Sequence, residues 1–187
     1  MKIAVYSGSF NPLHIGHQAI LEYISSSEEF DWTYLVVSPQ SPFKDSSNNL
    51  SARDRYKAAI EAVKRHPDLN VWVDSIELSM TPPQYTIKTL DALKQREPDN
   101  DFTLVIGADN LASFSKWRDF ERILREYGVI VYPRDGFDLD TICRELTTNS
   151  AGAPYRIQVI DHPLVNISST EIRQALSEGR DVSSLMM

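Results

Sequence analysis

The chain has 187 residues, 42% hydrophobic and 24% charged, which suits one domain with a sizeable core and excludes disordered, collagen-like and low-complexity classes. Its formal charge is −7, from 19 basic and 26 acidic residues. With no Lys/Arg block, it is not expected to grip nucleic acid without sequence preference, and an anionic ligand would need its cations gathered locally. The single Cys143 excludes an internal disulfide and a Cys-based zinc site, and one free thiol fits a reducing, cytoplasmic setting. No membrane insertion is expected, because the apolar run after Lys2, Ile3-Ala4-Val5-Tyr6, is too short for a signal-peptide core.

Taken in chain order, short apolar runs alternate with amphipathic stretches. Lys2–Ser7 reads as a buried strand closed by Gly8, followed by a helix from about His17 to Ser25. Thr33–Ser38 is a second strand. Ser51–Arg65 is a helix capped by Ser51 with Asp54 at the reciprocal position, its apolar face made by Tyr56, Ala59, Ile60 and Val63, and Pro67 stops it. Asn70–Ile76 is a third strand, Thr86–Arg96 a helix, and Phe102–Ile106 a fourth strand ending at Gly107. The spacing of Trp117, Phe120 and Leu124 predicts one helical stripe, Gly128–Tyr132 a fifth strand, and Leu139, Ile142, Cys143 and Leu146 a further helix. Arg156–Ile160 is a sixth strand. Ser168–Ser177 is the last helix, with Ser168 and Glu171 as a capping box and Gly179 as its stop. This alternation predicts an α/β fold: a doubly wound, Rossmann-like parallel sheet of about six strands with helices on both faces, in one domain spanning 1–187, with residues 180–187 as a tail. Such sheets bind ligands at the carboxyl ends of their strands. Two polar loops, Pro39–Leu50 and Ser79–Gln84, follow strands and suit lids or specificity elements.

Two segments carry candidate chemistry. Gly8-Ser9-Phe10-Asn11-Pro12-Leu13-His14-Ile15-Gly16-His17 joins the first strand to the first helix. It has neither the Gly-Lys-Ser/Thr of a Walker loop nor the glycine spacing of a dinucleotide fingerprint. It offers small residues and two histidines near a helix N-terminus, which attracts phosphate. By spacing alone, the same histidines also read as ordinary loop residues or as half of a zinc site. The second segment, Ile167-Ser168-Ser169-Thr170-Glu171-Ile172-Arg173, places hydroxyls and backbone N–H groups at a helix start, with Arg173 one turn in. It reads either as an anion nest or as a capped surface helix.

The pairing of HxGH with ISSTxIR resembles the nucleotidyltransferase superfamily that activates mononucleotides with ATP, and within it the nicotinate-nucleotide adenylyltransferase family. SGSFNPLHIGH is similar to that family's GG(S/T)FxPxHxGH opening, with Ser7 in place of the first Gly. Pro42-Phe43-Lys44 resembles PPHK, Tyr85-Thr86…Thr89-Leu90 resembles YTxxTL, and Ile106-Gly107-Ala108-Asp109…Trp117 resembles IGxDxL followed by Trp. Pro133-Arg134 falls at an Arg-Pro-Gly turn, with Asp135 in place of the Pro. The likeness runs from residue 1 to about 176. Met80 stands where many relatives have Arg, and Gln84 where many have Ser; both bear on base preference rather than on the reaction.

The resemblance implies roles. His14 and His17 contact the ATP phosphates, with His17 on the α-phosphate in the transition state, and Lys44 and Arg173 complete the catalytic set. Ser9 and Phe10 line the nucleotides through their backbone. Asp109 binds the ATP ribose, Arg134 lies beside the adenine, and Ser168, Ser169 and Arg173 hold the outer phosphates. Ser9, Lys44, Tyr85, Thr86 and Trp117 receive the mononucleotide, with Trp117 stacked on the pyridine. By spacing alone Trp117 is equally a core residue, Asp109 a helix start and Lys44 a solvated loop lysine. The implied substrates are ATP and nicotinate mononucleotide, giving nicotinate adenine dinucleotide and pyrophosphate. The implied cofactor is Mg2+ on the ATP phosphates without protein metal ligands. Neither nucleic acid nor membrane is an implied partner, and a homo-oligomer stays open. The rival readings are transfer to nicotinamide mononucleotide or phosphopantetheine, and a nucleotide-binding module without catalysis.

Overall fold

Residues rich in Val, Ile and Leu form six strands: β1 (Lys2–Gly8), β2 (Trp32–Val37), β3 (Val71–Asp74), β4 (Asp101–Gly107), β5 (Val129–Tyr132) and β6 (Ile157–Val159). The structure, a computed structural model, describes residues 1–39, 50–148, 154–160, 165 and 167–187. The strands pair in the order β3-β2-β1-β4-β5-β6, every neighbour parallel. A parallel sheet covered on both faces accounts for the apolar runs. Successive residues leave opposite faces, and the two cores show it. Ala4, Tyr6, Val105 and Ile130 belong to one, while Ile3, Val5, Leu104, Ile106 and Val129 belong to the other.

The helices are α1 (Ile15–Ser26), α2 (Ala52–Lys64), α3 (Ile76–Ser79), α4 (Thr86–Arg96), α5 (Ala108–Ala112), α6 (Phe120–Arg122, continued by a π-turn over Ile123–Tyr127), α7 (Leu139–Thr148) and α8 (Ser169–Ser177). Helix α1 packs Ile20, Leu21 and Ile24, and α2 packs Ala59 and Ala62, on the first face. Helices α4 and α5 pack Ile87, Leu90, Leu93 and Leu111 on the second. Strand order reverses between β1 and β4, so a cleft opens beyond their carboxyl ends. No helix among the described residues is long and apolar enough to cross a membrane.

Four local expectations give way. Helix α2 buries Arg55, Ala59 and Ala62, whereas Tyr56, Ile60 and Val63 pack half-buried at the edge of the core. Ile76 belongs to α3 rather than to β3, because the Asp74 carboxylate accepts from the Ile76 N–H at 2.8 Å and turns the chain. Trp117, Phe120 and Leu124 do not share one helix. Trp117 closes the 3₁₀ turn Phe114–Lys116, and Asp119 at φ 52° interrupts the path before α6. Residues 180–187 are docked rather than a loose tail: Val182 and Met187 are buried, and Met186 bridges His14 in antiparallel fashion. Their apolar side chains find a seat beside the β1–α1 loop that charge-free spacing did not reveal.

Candidate active site

The β1–α1 loop builds its own histidine platform. Phe10 sits at φ 43° with its ring buried, edge-on to Tyr6 at 5.4 Å and to His17 at 5.2 Å. His14 is the N-cap of α1. Its Nδ1 accepts from the Gly16 N–H, and the Nδ1 of His17 accepts from the His14 N–H, each at 3.2 Å. This is a reciprocal capping box made from imidazoles, which satisfies N–H groups that a helix start leaves open. The two rings lie 3.7 Å apart. A Cβ on Gly16 would come within 3.0 Å of the His14 ring and 3.1 Å of Ile167, so the glycine of HxGH lets the two motifs approach closely.

Burial pushes the His14 pKa down to about 4, with the Arg134 charge adding to it. Burial also pushes His17 well below the ordinary histidine range, helped by His14 and Arg134. Both rings are therefore neutral near pH 7. With each Nδ1 occupied as an acceptor, the proton of each neutral ring resides on Nε2. The pair thus carries two preset Nε2–H donors, His14 at 3% exposure and His17 half-buried.

The second segment grips this loop from the other side. Ser169 Oγ donates to the Pro12 carbonyl at 3.1 Å, and an Arg173 NH donates to the Asn11 carbonyl at 2.7 Å. Ser168 is the α8 N-cap, in a capping box with Glu171. Below the loop, Arg55 is 1% exposed and donates to the Ser9 carbonyl. Sequence reading missed this residue, since an Arg beside apolar helix positions carries no signal of burial.

At the switch point a cavity of about 230 Å³ is lined by Tyr6, Ser7, Ser38, Thr86, Trp117 and Tyr132, among others. Thr86 opens α4 and the N-cap Tyr85 makes no side-chain cap, so the first N–H groups of that helix are open donors at the positive end of its dipole. Trp117 is half-buried, its ring tilted by 38° against Phe114 at 4.8 Å, while also lining the cavity. It thus touches both the core and the cavity. On the far side Asp109, in the first turn of α5, lies 3.9 Å from Arg134 Nε. The Arg134 guanidinium covers the Tyr132 ring at 5.2 Å. A Cβ on Gly107 would stand 2.3 Å from Asp109 Oδ1 and 3.0 Å from the Tyr132 ring, so a larger residue there would push the Asp109 carboxylate aside.

Ser9, Phe10, His14, His17, Ser168, Ser169 and Arg173 thus gather around one loop, and Thr86 and Trp117 meet in the adjoining cavity, with Tyr85 capping the helix beside it. Asp109 and Arg134 pair at its rim. Lys44 lies outside the described residues. Glu77, buried behind the cavity, is a second residue that sequence reading missed, because nothing in its spacing separates it from surface acids.

A parallel sheet of this order, with neutral histidines, cations and open helix N-termini at the switch point, defines a nucleotide-binding α/β domain with an anion cleft. The cytidylyltransferase-like family model matches residues 5–175, and the chain belongs to that family. It is similar to a Bacteroides fragilis protein named as a probable nicotinate-nucleotide adenylyltransferase, 38% identical over 97% of this chain and 85% of the relative. A Flavobacterium johnsoniae protein of the same name is 34% identical over 100% of this chain and 92% of the relative. In fold it resembles Plasmodium falciparum nicotinic acid mononucleotide adenylyltransferase complexed with NaAD. That match has a TM-score of 0.78 at 20% identity and covers 97% of this chain and 86% of that one.

Proposed function

We propose that the chain transfers AMP from ATP to nicotinate mononucleotide, giving nicotinate adenine dinucleotide and pyrophosphate. The observation that carries this is the reciprocal histidine cap: two neutral rings with both Nδ1 atoms engaged, on a loop that Ser169 and Arg173 hold at the switch point. The names of the curated relatives support the same reaction and acceptor.

A phosphate oxygen of the mononucleotide attacks the α-phosphorus of ATP. The new P–O bond forms, the bond from the α-phosphorus to the bridging oxygen of the β-phosphate breaks, and that oxygen leaves with pyrophosphate. The attacking phosphate is already an anion, so no side chain must remove a proton from it. Catalysis is then alignment and charge stabilisation. His17 Nε2–H donates to the α-phosphate as charge builds there, and His14 Nε2–H to the neighbouring phosphate. Arg173, Ser168 and Ser169 at the α8 N-terminus receive the leaving pyrophosphate, and Lys44 neutralises the acceptor phosphate. Asp109 accepts from the ATP ribose hydroxyls, Arg134 lies at the adenine, and the backbone of Ser9 and Phe10 lines both nucleotides. Trp117 stacks on the pyridine beside Tyr85 and the Thr86 N–H. A divalent metal, Mg2+ in this proposal, would be held by the ATP phosphates and would supply charge neutralisation there. The free thiol of Cys143 supports a cytoplasmic setting.

Pyrophosphate release from ATP, measured with nicotinate mononucleotide, nicotinamide mononucleotide and phosphopantetheine in turn, tests the proposal. The highest kcat/KM is expected with the first. ATP binding without release on any acceptor would leave a nucleotide-binding module.

A further inference from the structure

Behind the switch-point cavity runs a chain of hydroxyls that the reaction above does not use. Ser7 Oγ donates to Glu77 Oε1 at 3.1 Å, and Thr89 Oγ1 donates to the same oxygen at 2.9 Å. Ser7 Oγ also lies 2.9 Å from Ser38 Oγ. A serine has one hydroxyl proton. Ser7 gives its proton to Glu77, so Ser38 is the donor of that pair. Both protons are then spent inside the protein, and the two oxygens present only lone pairs to the cavity they line. Glu77 is 5% exposed and Thr89 1%. None of the ion pairs among the described residues includes Glu77.

The cavity is therefore polarised. Thr86, the first residue of the uncapped α4, lines it together with Ser7 and Ser38, so a helix start with open backbone donors and two hydroxyl acceptors share one cavity. We propose that Ser7 and Ser38, set by Glu77, recognise a hydrogen-bond donor on the pyridine substituent and so narrow the preference for nicotinate over nicotinamide mononucleotide. The inference rests on the adenylyltransferase reading and deepens it. A carboxamide turns its carbonyl to α4 and its NH2 to the serines. A carboxylate has acceptors only; one oxygen suits α4 and the other meets lone pairs backed by a buried carboxylate.

The test measures kcat/KM, and calorimetric Kd, for both mononucleotides with the wild type, Ser7→Ala, Ser38→Ala and Glu77→Gln. Loss of one neutral hydrogen bond corresponds to roughly a five-fold change. Ser7→Ala and Ser38→Ala should raise the nicotinate-to-nicotinamide ratio by at least about that factor through a loss on the nicotinamide side, with KM for ATP within about two-fold. Glu77→Gln should raise it through a gain on the nicotinate side, as the facing charge is removed. An unchanged ratio in all three variants, whether both substrates weaken together or neither does, overturns the proposal. A wild type that binds both mononucleotides but releases no pyrophosphate rejects the adenylyltransferase reading alone, because the Kd ratios still judge the serine pair.

Discussion

Replacing His14 by Asn isolates the cost of a neutral, buried imidazole. The ordinary pKa is 6.5 and the folded value is pushed down to about 4, first by burial and then by the Arg134 charge. A base whose pKa is depressed on folding contributes stability that is full above pH 6.5. That contribution is lost as pH falls toward 4, where the unfolded chain takes up a proton that the fold refuses. Each pH unit well inside that window is worth about 1.4 kcal/mol, and with the slope flattening at both ends His14 costs about 2 kcal/mol by about pH 4.5. Asn keeps a side-chain oxygen to accept from the Gly16 N–H, a favoured N-cap, and does not titrate. His17 is displaced in the same direction, partly by His14 itself, so its own acid penalty also eases in His14→Asn and adds to the difference between the two proteins. Urea unfolding at about pH 7 and about pH 4.5 should show the wild type losing about 2 kcal/mol more than His14→Asn. Equal losses in the two proteins would refute the neutral, capped His14.

Three further substitutions test the site from other sides. His17→Ala should lower kcat by roughly 100-fold or more, the scale of one lost transition-state donor, with KM nearly unchanged; steady-state kinetics reads both, and full activity would make the motif structural. Trp117→Ala should raise KM for the mononucleotide several-fold, the order of 1 kcal/mol for a lost ring contact, and leave that for ATP within about two-fold. Because Trp117 is only half-buried on Phe114, its loss should lower Tm less than the roughly 3–5 kcal/mol of a core Trp implies; a large Tm drop with unchanged KM would assign it to the core. Gly16→Ala should cost about 1–3 kcal/mol by overpacking, since its Cβ meets the His14 ring and Ile167. Thermal unfolding measures this, and wild-type Tm with wild-type kcat would refute the tight junction of the two motifs.

The sheet was legible because strands buried on both faces are written as unbroken apolar runs, such as Ile3-Ala4-Val5 and Val129-Ile130-Val131, punctuated by glycine. Capping chemistry was local in part: the Ser168–Glu171 box starts α8 as its spacing predicts, and Ser51 caps α2, but the Asp54 carboxylate accepts from the Ser51 hydroxyl at 2.7 Å, so the reciprocal half of that box does not form. What the sequence concealed depends on residues distant along the chain. The periodicity of α2 set Tyr56, Ile60 and Val63 inward, but Arg55 is the side chain sealed in, because the Ser9 carbonyl accepts from it. A stripe over Trp117, Phe120 and Leu124 counted as one helix, although the left-handed Asp119 breaks it and frees Trp117 to reach the cavity. The motif likeness located His14 and His17; the structure adds their reciprocal cap and the tautomer it imposes. Glu77 needed the fold, since its partners Ser7 and Thr89 come from β1 and α4.

Identification of the product formed from ATP and nicotinate mononucleotide tests the central claim most directly. Chromatography with mass detection, run with magnesium present and again after chelation, should show nicotinate adenine dinucleotide and pyrophosphate appearing in equal amounts only when magnesium is present. Phosphopantetheine converted faster than either mononucleotide, or ATP consumed to ADP without a dinucleotide, would contradict it.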